Sequence, residues 1–151
     1  MRYFLLLLTA CFLTVSASAQ STEDSVKAAV NKLFTAMKES DEVMLKNSFT
    51  SNAVLQTIGR SKETGAVVVT SEEVNAFAES IQKITKGDAD EQIVFETIKI
   101  DGDLASVWTP YKFYYKGKFS HCGVNSFQLV RLNGEWKIQY IIDTRRRLGC
   151  Q

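Results

Sequence analysis

The stretch KFSHCGVNSFQLV, residues Lys118–Val130, carries the side chains best suited to chemistry. It contains the only histidine of the chain, His121, and an asparagine four positions later, Asn125. Side chains alternate between the two faces of a strand, so His121 and Asn125 share a face with Phe127 and Leu129. The pattern therefore predicts polar groups within an otherwise apolar surface.

His121 has two interpretations. With an ordinary pKa of about 6.5, an imidazole in a pocket can act as a general acid or base near neutrality. The alternative is a hydrogen bond at a pocket rim, or exposure at a strand end, with no part in catalysis. We expect His121 and Asn125 to orient a ligand. The predicted remainder of the ligand site is an apolar wall and an amide, from Trp108, Tyr111, Phe127, Tyr140 and Gln56.

The sequence carries no motif for metal binding, phosphate binding or a nucleophilic serine. His121 and Cys122 are adjacent on a strand and point to opposite faces, and no second pair of metal ligands accompanies them. Glycine-rich phosphate loops and a G-x-S-x-G nucleophile motif are absent from the sequence. We therefore expect no metal and no cofactor.

The N-terminal stretch MRYFLLLLTACFLTVSASAQ has the pattern of a secretory signal peptide. A basic residue precedes one apolar run, which is too short to span a membrane, and Ala17 and Ala19 form an A-x-A cleavage pattern. We expect residues 1–19 to be removed, leaving one domain over residues 20–151 in the periplasm or outside the cell. The alternative is a lipoprotein anchored at Cys11, although the apolar run would then be unusually short.

The mature chain would carry no net charge. Cleavage removes Arg2 and leaves 17 basic and 17 acidic residues. This balance gives no reason to expect nucleic acid as a partner. The one local excess is Arg145-Arg146-Arg147, for which a solvated strand end is the simplest interpretation.

Two cysteines follow the predicted cleavage site, Cys122 and Cys150. In an oxidising compartment they are a candidate disulfide, worth about 3 to 4 kcal/mol in the chain-entropy model. If Asn133-Gly134 forms a two-residue turn, Cys150 lies well past the level of Cys122, and the C-terminal tail has to curl back to close the bridge. The sequence leaves both the bridged and the free state open.

The pattern of apolar residues changes along the chain from helical to alternating. Val26, Val30, Leu33 and Met37 share one face of a predicted first helix of about five turns. A short second helix capped by Asp41, a β-branched run and a third helix follow. From Glu91 onward, turn signals at Asp101-Gly102, Lys116-Gly117 and Asn133-Gly134 divide the rest into four antiparallel strands, with a bulge or edge position expected at Pro110. This order predicts an α+β domain.

The turn at Asn133-Gly134 sets the register of the last hairpin. Counting back from it predicts the pairs Arg131 with Trp136, Leu129 with Ile138, Phe127 with Tyr140, and Asn125 with Ile142. In this register Asp143 pairs with Val124 on the outer face. No acidic side chain of this hairpin would then enter the pocket.

The order of elements, together with the closing segment GEWKIQYIIDTRRRLGC, resembles the nuclear transport factor 2-like superfamily. More narrowly, the chain is similar to exported SnoaL-like and lumazine-binding bacterial proteins. The resemblance implies three helices packed in a strongly curved, mainly antiparallel sheet with a cone-shaped pocket, the cystatin-like arrangement. It also implies frequent dimerisation through the outer sheet face. Because this fold serves enzymes, binding modules and interaction domains, it does not fix the activity.

Two functions are compatible with these observations. The first is an exported module that binds a small, largely apolar molecule, with an isomerase or dehydratase acting through His121 as its catalytic variant. The second is an interaction domain in which aromatic side chains fill the cone and the outer face forms a homodimer or docks a partner. The discriminating observation is how much of the cone the chain's own side chains occupy.

Overall fold

The computed structural model describes residues 22–150. The predicted signal peptide, its cleavage site after Ala19 and the alternative lipid anchor at Cys11 all lie outside the described residues. No helix among those described is long and apolar enough to cross a membrane.

The described chain folds as three helices and seven strands. Its helices are α1 (22–39), α2 (Glu42–Lys46) and α3 (Val74–Gln82). The strands are β1 (Phe49–Arg60), β2 (Val67–Glu72), β3 (Ala89–Ile93), β4 (Thr97–Asp101), β5 (Leu104–Tyr115), β6 (Lys118–Leu132) and β7 (Glu135–Arg146). The predicted α+β class, the three helices and the last three strands are confirmed, whereas the single strand predicted from Glu91 to the turn at Asp101-Gly102 is divided into β3 and β4.

The helices form where the sequence pattern predicts them. Val26, Val30 and Leu33 of α1 are almost fully buried, as their spacing on one helical face requires. The carboxylate of Asp41 accepts a hydrogen bond from the backbone N–H of Met44 at 2.8 Å and so caps α2.

One curved sheet holds all seven strands, in the order β2-β1-β7-β6-β5-β3. Strands β1 and β7 are parallel, and the other pairs are antiparallel. Strands β3 and β4 pair with successive parts of the same edge of β5. Pro110 belongs to β5 and lies opposite the break between β3 and β4. Its carbonyl oxygen accepts a hydrogen bond from the backbone N–H of Val94, in that break, at 2.9 Å. The irregularity expected at Pro110 thus falls in the strands beside it, where no donor is needed from the proline.

The register of the β6–β7 hairpin agrees with the prediction only near the turn. Arg131 pairs with Trp136 and Leu129 with Ile138, but Gln139 is then an extra residue, a β-bulge in β7. Beyond it Phe127 pairs with Ile141, and Asn125 pairs with Asp143. The predicted pairs Phe127 with Tyr140 and Asn125 with Ile142 are therefore wrong.

Strand β1 holds this bulge in place. The hydroxyl of Thr50 donates to Gln139 Oε1 at 2.9 Å, and Gln139 Nε2 donates to the carbonyl of Asn52 at 3.2 Å. The β1–β7 pairing is itself irregular here, between Phe49 and Val54. Because a one-residue shift moves every following side chain to the opposite face, the bulge turns Asp143 inward.

The helices cover the inner face of the sheet. Val107, Phe127, Leu129 and Ile138 are almost completely buried there, and the ring of Phe34 from α1 meets Phe127 edge-on with 6.1 Å between ring centroids. Helix and strand residues thus form one core cluster. The core does not reach the far end of the strands, where the inner face is polar.

Cys122 and Cys150 form a disulfide, with their Cα atoms 5.8 Å apart. The tail curls back after β7, and Gly149 has a φ of 67°, in the left-handed region that glycine adopts readily. The bridge fastens the last described residues to the middle of the sheet.

Candidate functional site

A cavity of about 310 Å³ lies between the helices and the polar end of the inner sheet face. Its apolar wall comes from α1, α3 and β1, chiefly through Leu33, Phe34, Met37, Leu55, Phe77 and Ile81. Its polar wall comes from β1, β3, β5, β6 and β7. The volume is at the small end of the range for ligand pockets.

Asp143 is the centre of the polar wall. It is 8% exposed and accepts hydrogen bonds from three side chains: Thr57 Oγ1 at 2.5 Å, Arg145 Nε at 2.8 Å and Tyr111 Oη at 3.1 Å. A second nitrogen of Arg145 also donates to Thr57 Oγ1 at 3.1 Å. The carboxylate is therefore both ion-paired and held in one orientation, which suits a positioning role.

Tyr111 reaches Asp143 by crossing an intervening strand at a glycine. It extends from β5 over Gly123 of β6, and its hydroxyl also lies 3.0 Å from the carbonyl oxygen of Thr144 on β7. A Cβ atom on Gly123 would stand 1.7 Å from that carbonyl oxygen and 2.7 Å from the Tyr111 ring. Only glycine leaves room for this contact.

Glu91 is another acidic group of the cavity and differs sharply from Asp143. Its Oε1 accepts a hydrogen bond from Asn125 Nδ2 at 2.8 Å, and its other oxygen has no side-chain partner among the described residues. Burial, helped by the nearby charge of Asp143, outweighs the opposing effects of Asn125 and Arg145 and raises the pKa of Glu91 to about 7. The group can take up or release a proton at neutrality.

His121 lines the cavity beside two aromatic rings. Its ring centroid is 5.7 Å from that of Tyr111 and 5.1 Å from that of Phe113. Nδ1 lies 3.1 Å from Ser120 Oγ, which leaves Nε2 as the ring nitrogen without a protein partner among residues 22–150. Burial, together with the charge of Arg145, lowers the pKa of His121, so the ring is neutral at neutral pH.

The acidic surroundings affect two other groups. Burial raises the pKa of Tyr111, and the charges of Asp143 and Glu91 add to the effect, so its hydroxyl keeps its proton. Burial opposes the charge of Arg145, but its bond to Asp143 prevails and raises the pKa of the guanidinium above its ordinary value. The polar wall thus holds one fixed ion pair and one carboxyl group that titrates.

The structure brings together some of the residues predicted for the site. His121, Asn125, Tyr111 and Gln56 all line the cavity. The side-chain amide of Gln56 is already engaged, since its oxygen accepts a bond from Tyr140 Oη at 2.8 Å and its nitrogen donates to Ser71 Oγ at 3.1 Å.

Three predicted members of the apolar wall lie elsewhere. Trp108 pairs with Ser126 on the outer face and is 44% exposed. The bulge at Gln139 places Tyr140 opposite Gln128, also on the outer face. Phe127 is inside but fully buried in the core, behind the cavity. The predicted wall of Trp108, Tyr140 and Phe127 is therefore corrected.

Six polar residues of the cavity were not predicted: Glu91, Asp143, Arg145, Thr57, and the exposed Thr70 and Glu72 of β2. Asp143 was expected on the outer face, and the bulge overturns that expectation. A signal for Glu91 does exist, because Ala89, Glu91 and Ile93 alternate with more polar residues and share the inner face of β3. Among the described residues no group of three His, Cys, Asp or Glu side chains is placed to hold a metal ion.

Comparisons with known proteins identify the fold. No family model matches the sequence, and no curated protein matches it either. An NTF2-like protein of unknown function from Shewanella baltica superposes with a TM-score of 0.64 at 14% identity, over 83% of this chain and 94% of that one. A protein of unknown function from Mycobacterium tuberculosis gives a TM-score of 0.66 at 17% identity, over 88% and 77%.

A third similar structure is a domain of unknown function with a cystatin-like fold from Nostoc punctiforme. It has a TM-score of 0.64 at 14% identity and covers 84% of this chain and 78% of that one. The protein therefore has the nuclear transport factor 2-like fold. At these identities the likeness concerns the fold alone, so the function has to be inferred from the cavity.

Proposed function

We propose that the protein binds a small, largely apolar molecule whose polar group bonds to Glu91 and Asn125. The observation that carries this proposal is a carboxyl group on the polar wall of the cavity with one oxygen free of side-chain partners. This oxygen is not sealed inside packed protein, since Thr109 Oγ1 is the one described side-chain atom that is fully buried without a partner, so a ligand donor in the cavity can reach it. His121 Nε2 offers a third contact.

Native mass spectrometry of protein expressed from the full sequence tests this proposal. We expect a small molecule to copurify with the wild type and to be lost from Glu91→Gln and from Asn125→Ala. Ser126→Ala is the matched control, since Ser126 is next to Asn125 on the opposite face of β6. Retention of the ligand by both cavity variants, or unchanged affinity in His121→Ala and Asn125→Ala, would contradict this site.

A catalytic variant of this function is favoured by one further observation. The pKa of Glu91 at about 7 suits a proton carrier near neutral pH. Glu91 would remove a proton from a carbon beside a carbonyl group and return it to another carbon, so this isomerisation needs no co-reactant. In this scheme Glu91 takes the role first assigned to His121, which instead donates a hydrogen bond to the carbonyl oxygen.

Deuterium exchange separates this enzyme from a passive binder. The copurified molecule is released and incubated with the protein in D2O, and its mass is followed over time by mass spectrometry. We expect the wild type to add deuterium and Glu91→Gln to add none. An unchanged mass with wild-type protein would rule out the isomerase but would leave the binding function standing.

We further propose a homodimer formed through the outer sheet face. Trp108 and Val54 are 44% and 43% exposed there, and Ser126, beside Trp108, is small. Sedimentation equilibrium tests this, with Trp108→Glu expected to give a monomer and Lys83→Glu, at the exposed end of α3 on the opposite side of the sheet, to leave the dimer intact. A monomeric wild type would contradict the dimer.

We also propose that the chain is exported and cleaved after Ala19. The bridge between Cys122 and Cys150 supports an oxidising compartment. The mass of the exported protein tests the cleavage site, and Cys11→Ser should not change processing. A lipid-modified N-terminus at Cys11 would instead establish the lipoprotein alternative.

A further inference from the structure

The end of the β5–β6 hairpin and the C-terminal tail form a surface separate from the cavity. We call it the basic hairpin end, and it consists of Tyr115, Lys116, Lys118, Phe119, Arg147 and Leu148. A shallow open groove connects its parts, lined by Tyr115, Lys118, Phe119, Ser120 and Arg147. The disulfide between Cys122 and Cys150 keeps the tail beside the hairpin.

The cations of this surface are not neutralised. None of Lys116, Lys118 and Arg147 forms a salt bridge with a described residue. Asp88 and Asp90 are the acids of the segment beside Tyr115 and Lys116. Asp90 is already paired with Lys38 at 2.8 Å, so Asp88 is the one acid of this segment that could offset the positive charge. A chain with equal numbers of acidic and basic residues after Ala19 thus has a concentrated positive charge at one end.

Apolar side chains project between these cations. Tyr115 is 43% exposed, Phe119 is 45% exposed and Leu148 is 85% exposed. Tyr115 and Phe119 lie at the end of the β5–β6 hairpin, and Leu148 lies on the tail. The ammonium group of Lys116 lies 5.5 Å from the centroid of the Tyr115 ring, so the aromatic surface and the positive charge are in direct contact.

We propose that the basic hairpin end docks on an anionic lipid surface. Lysine and arginine side chains at a bilayer surface meet the phosphate groups, while aromatic and aliphatic side chains enter the interfacial region. The exposed Phe119 and Leu148 fit this partner, because a soluble polyanion would bind the cations and leave both apolar side chains in water. The proposal does not depend on the function of the cavity.

Vesicle cosedimentation tests the docking, using phosphatidylcholine vesicles with and without phosphatidylglycerol. The protein is expressed from the full sequence, so that the wild type and every variant share the same N-terminus. We expect binding that requires phosphatidylglycerol and weakens as salt is raised. Lys118→Glu with Arg147→Glu should weaken binding about 30-fold or more, since each cation near the surface contributes about fivefold.

A second variant separates lipid from other anions. Phe119→Ser with Leu148→Ser keeps every cation and should weaken vesicle binding about tenfold, because the apolar contacts with the interface are lost. Leu104→Ser with Leu132→Ser is the matched control, since both leucines are 49% exposed at the other end of strands β5 and β6. This control should bind like the wild type.

Three results would overturn the proposal. The first is that the wild type fails to bind phosphatidylglycerol vesicles. The second is that the Leu104 and Leu132 control loses binding as strongly as the Phe119 and Leu148 variant. The third is that charge reversal abolishes binding while the serine variant at Phe119 and Leu148 binds like the wild type, which would identify a surface for soluble polyanions instead.

Discussion

At the scale of single residues, Asp143 and Glu91 of the cavity have opposite properties. Asp143 is saturated by Thr57, Arg145 and Tyr111, whereas Glu91 has one side-chain donor and a free oxygen. An ion-paired carboxylate with fixed partners maintains geometry, and a buried carboxyl group with a raised pKa exchanges protons. Glu91 is therefore the residue at which ligand or proton exchange is best sought.

Glu91→Gln should change how stability depends on pH. The folded pKa of about 7 exceeds the ordinary value of 4.5, so the folded state binds more protons than the unfolded state between these values. In the wild type the contribution of Glu91 is greatest below pH 4.5, falls as pH rises to about 7 and then levels off. Relative to the wild type, we expect the variant to gain about 2 to 3 kcal/mol between pH 4 and pH 8.

Urea unfolding at several pH values measures this difference. Glu63→Gln is the control, because Glu63 is exposed in the turn between β1 and β2. A constant difference between wild type and Glu91→Gln across the pH range would mean that Glu91 does not titrate as the geometry requires.

Tyr111→Phe should destabilise the protein by about 1 to 2 kcal/mol. The substitution removes one hydroxyl and leaves Asp143 and the carbonyl of Thr144 without their shared donor. Tyr140→Phe is the matched control, since that hydroxyl bonds only to Gln56 and the side chain is half-buried on the outer face. Equal losses of unfolding free energy in the two variants would argue against a special role for the Tyr111 contact.

At the scale of strands, Gly123→Ala should be among the most damaging small substitutions. An added Cβ would lie 1.7 Å from the carbonyl oxygen of Thr144, so either β7 or Tyr111 has to move. We expect a loss of about 2 to 4 kcal/mol in unfolding free energy. Gly59→Ala is the control, because its added Cβ meets nothing within 4 Å. A harmless Gly123→Ala would show that Tyr111 does not cross β6 in this way.

The turn chemistry made the strands predictable. Asn133, with a φ of 52°, and Gly134, with a φ of 85°, adopt the left-handed conformations that a tight hairpin turn needs. Counting from this turn gives the correct pairs of Arg131 and Leu129, and it correctly places Asn125 on the inner face. The fold class followed from these local signals.

The bulge made half of the site unpredictable. Gln139 carries no glycine or proline signal, and it is held by contacts with Thr50 and Asn52, far away in sequence. Tyr140, Ile141 and Ile142 are all apolar, so either face assignment buries a suitable side chain. Local alternation cannot decide between two registers that bury equally well, and the faces of Tyr140 and Asp143 were assigned wrongly for that reason.

The prediction that Trp108 lines the cavity was wrong for a different reason. An aromatic residue in a strand suggests burial, but the irregularity expected at Pro110 leaves the face of Trp108 undetermined by alternation. The structure places Trp108 on the outer face. Tyr111, three residues later, is on the inner face and 4% exposed. Pairing between strands settles such a choice, and composition does not.

At the scale of the whole molecule, the disulfide joins the tail to the sheet across 28 residues. Cys150→Ser should lower the unfolding free energy by about 3 kcal/mol, because the unfolded chain regains the entropy of an open loop. Urea unfolding with and without reductant measures this, and reductant should destabilise the wild type but leave the variant unchanged. A wild type indifferent to reductant would contradict a stabilising bridge.

The bulge at Gln139 also bears on how relatives of this chain should be compared. A single insertion or deletion before Asp143 would move this carboxylate between the cavity and the outer surface without changing any residue type. Two chains can therefore agree at every aligned position of β7 and differ, through one inserted residue, in whether the acid lies inside. Relatives with the same cavity should be sought by the number of residues between the hairpin turn and the aspartate, and identity at aligned positions is a poorer guide.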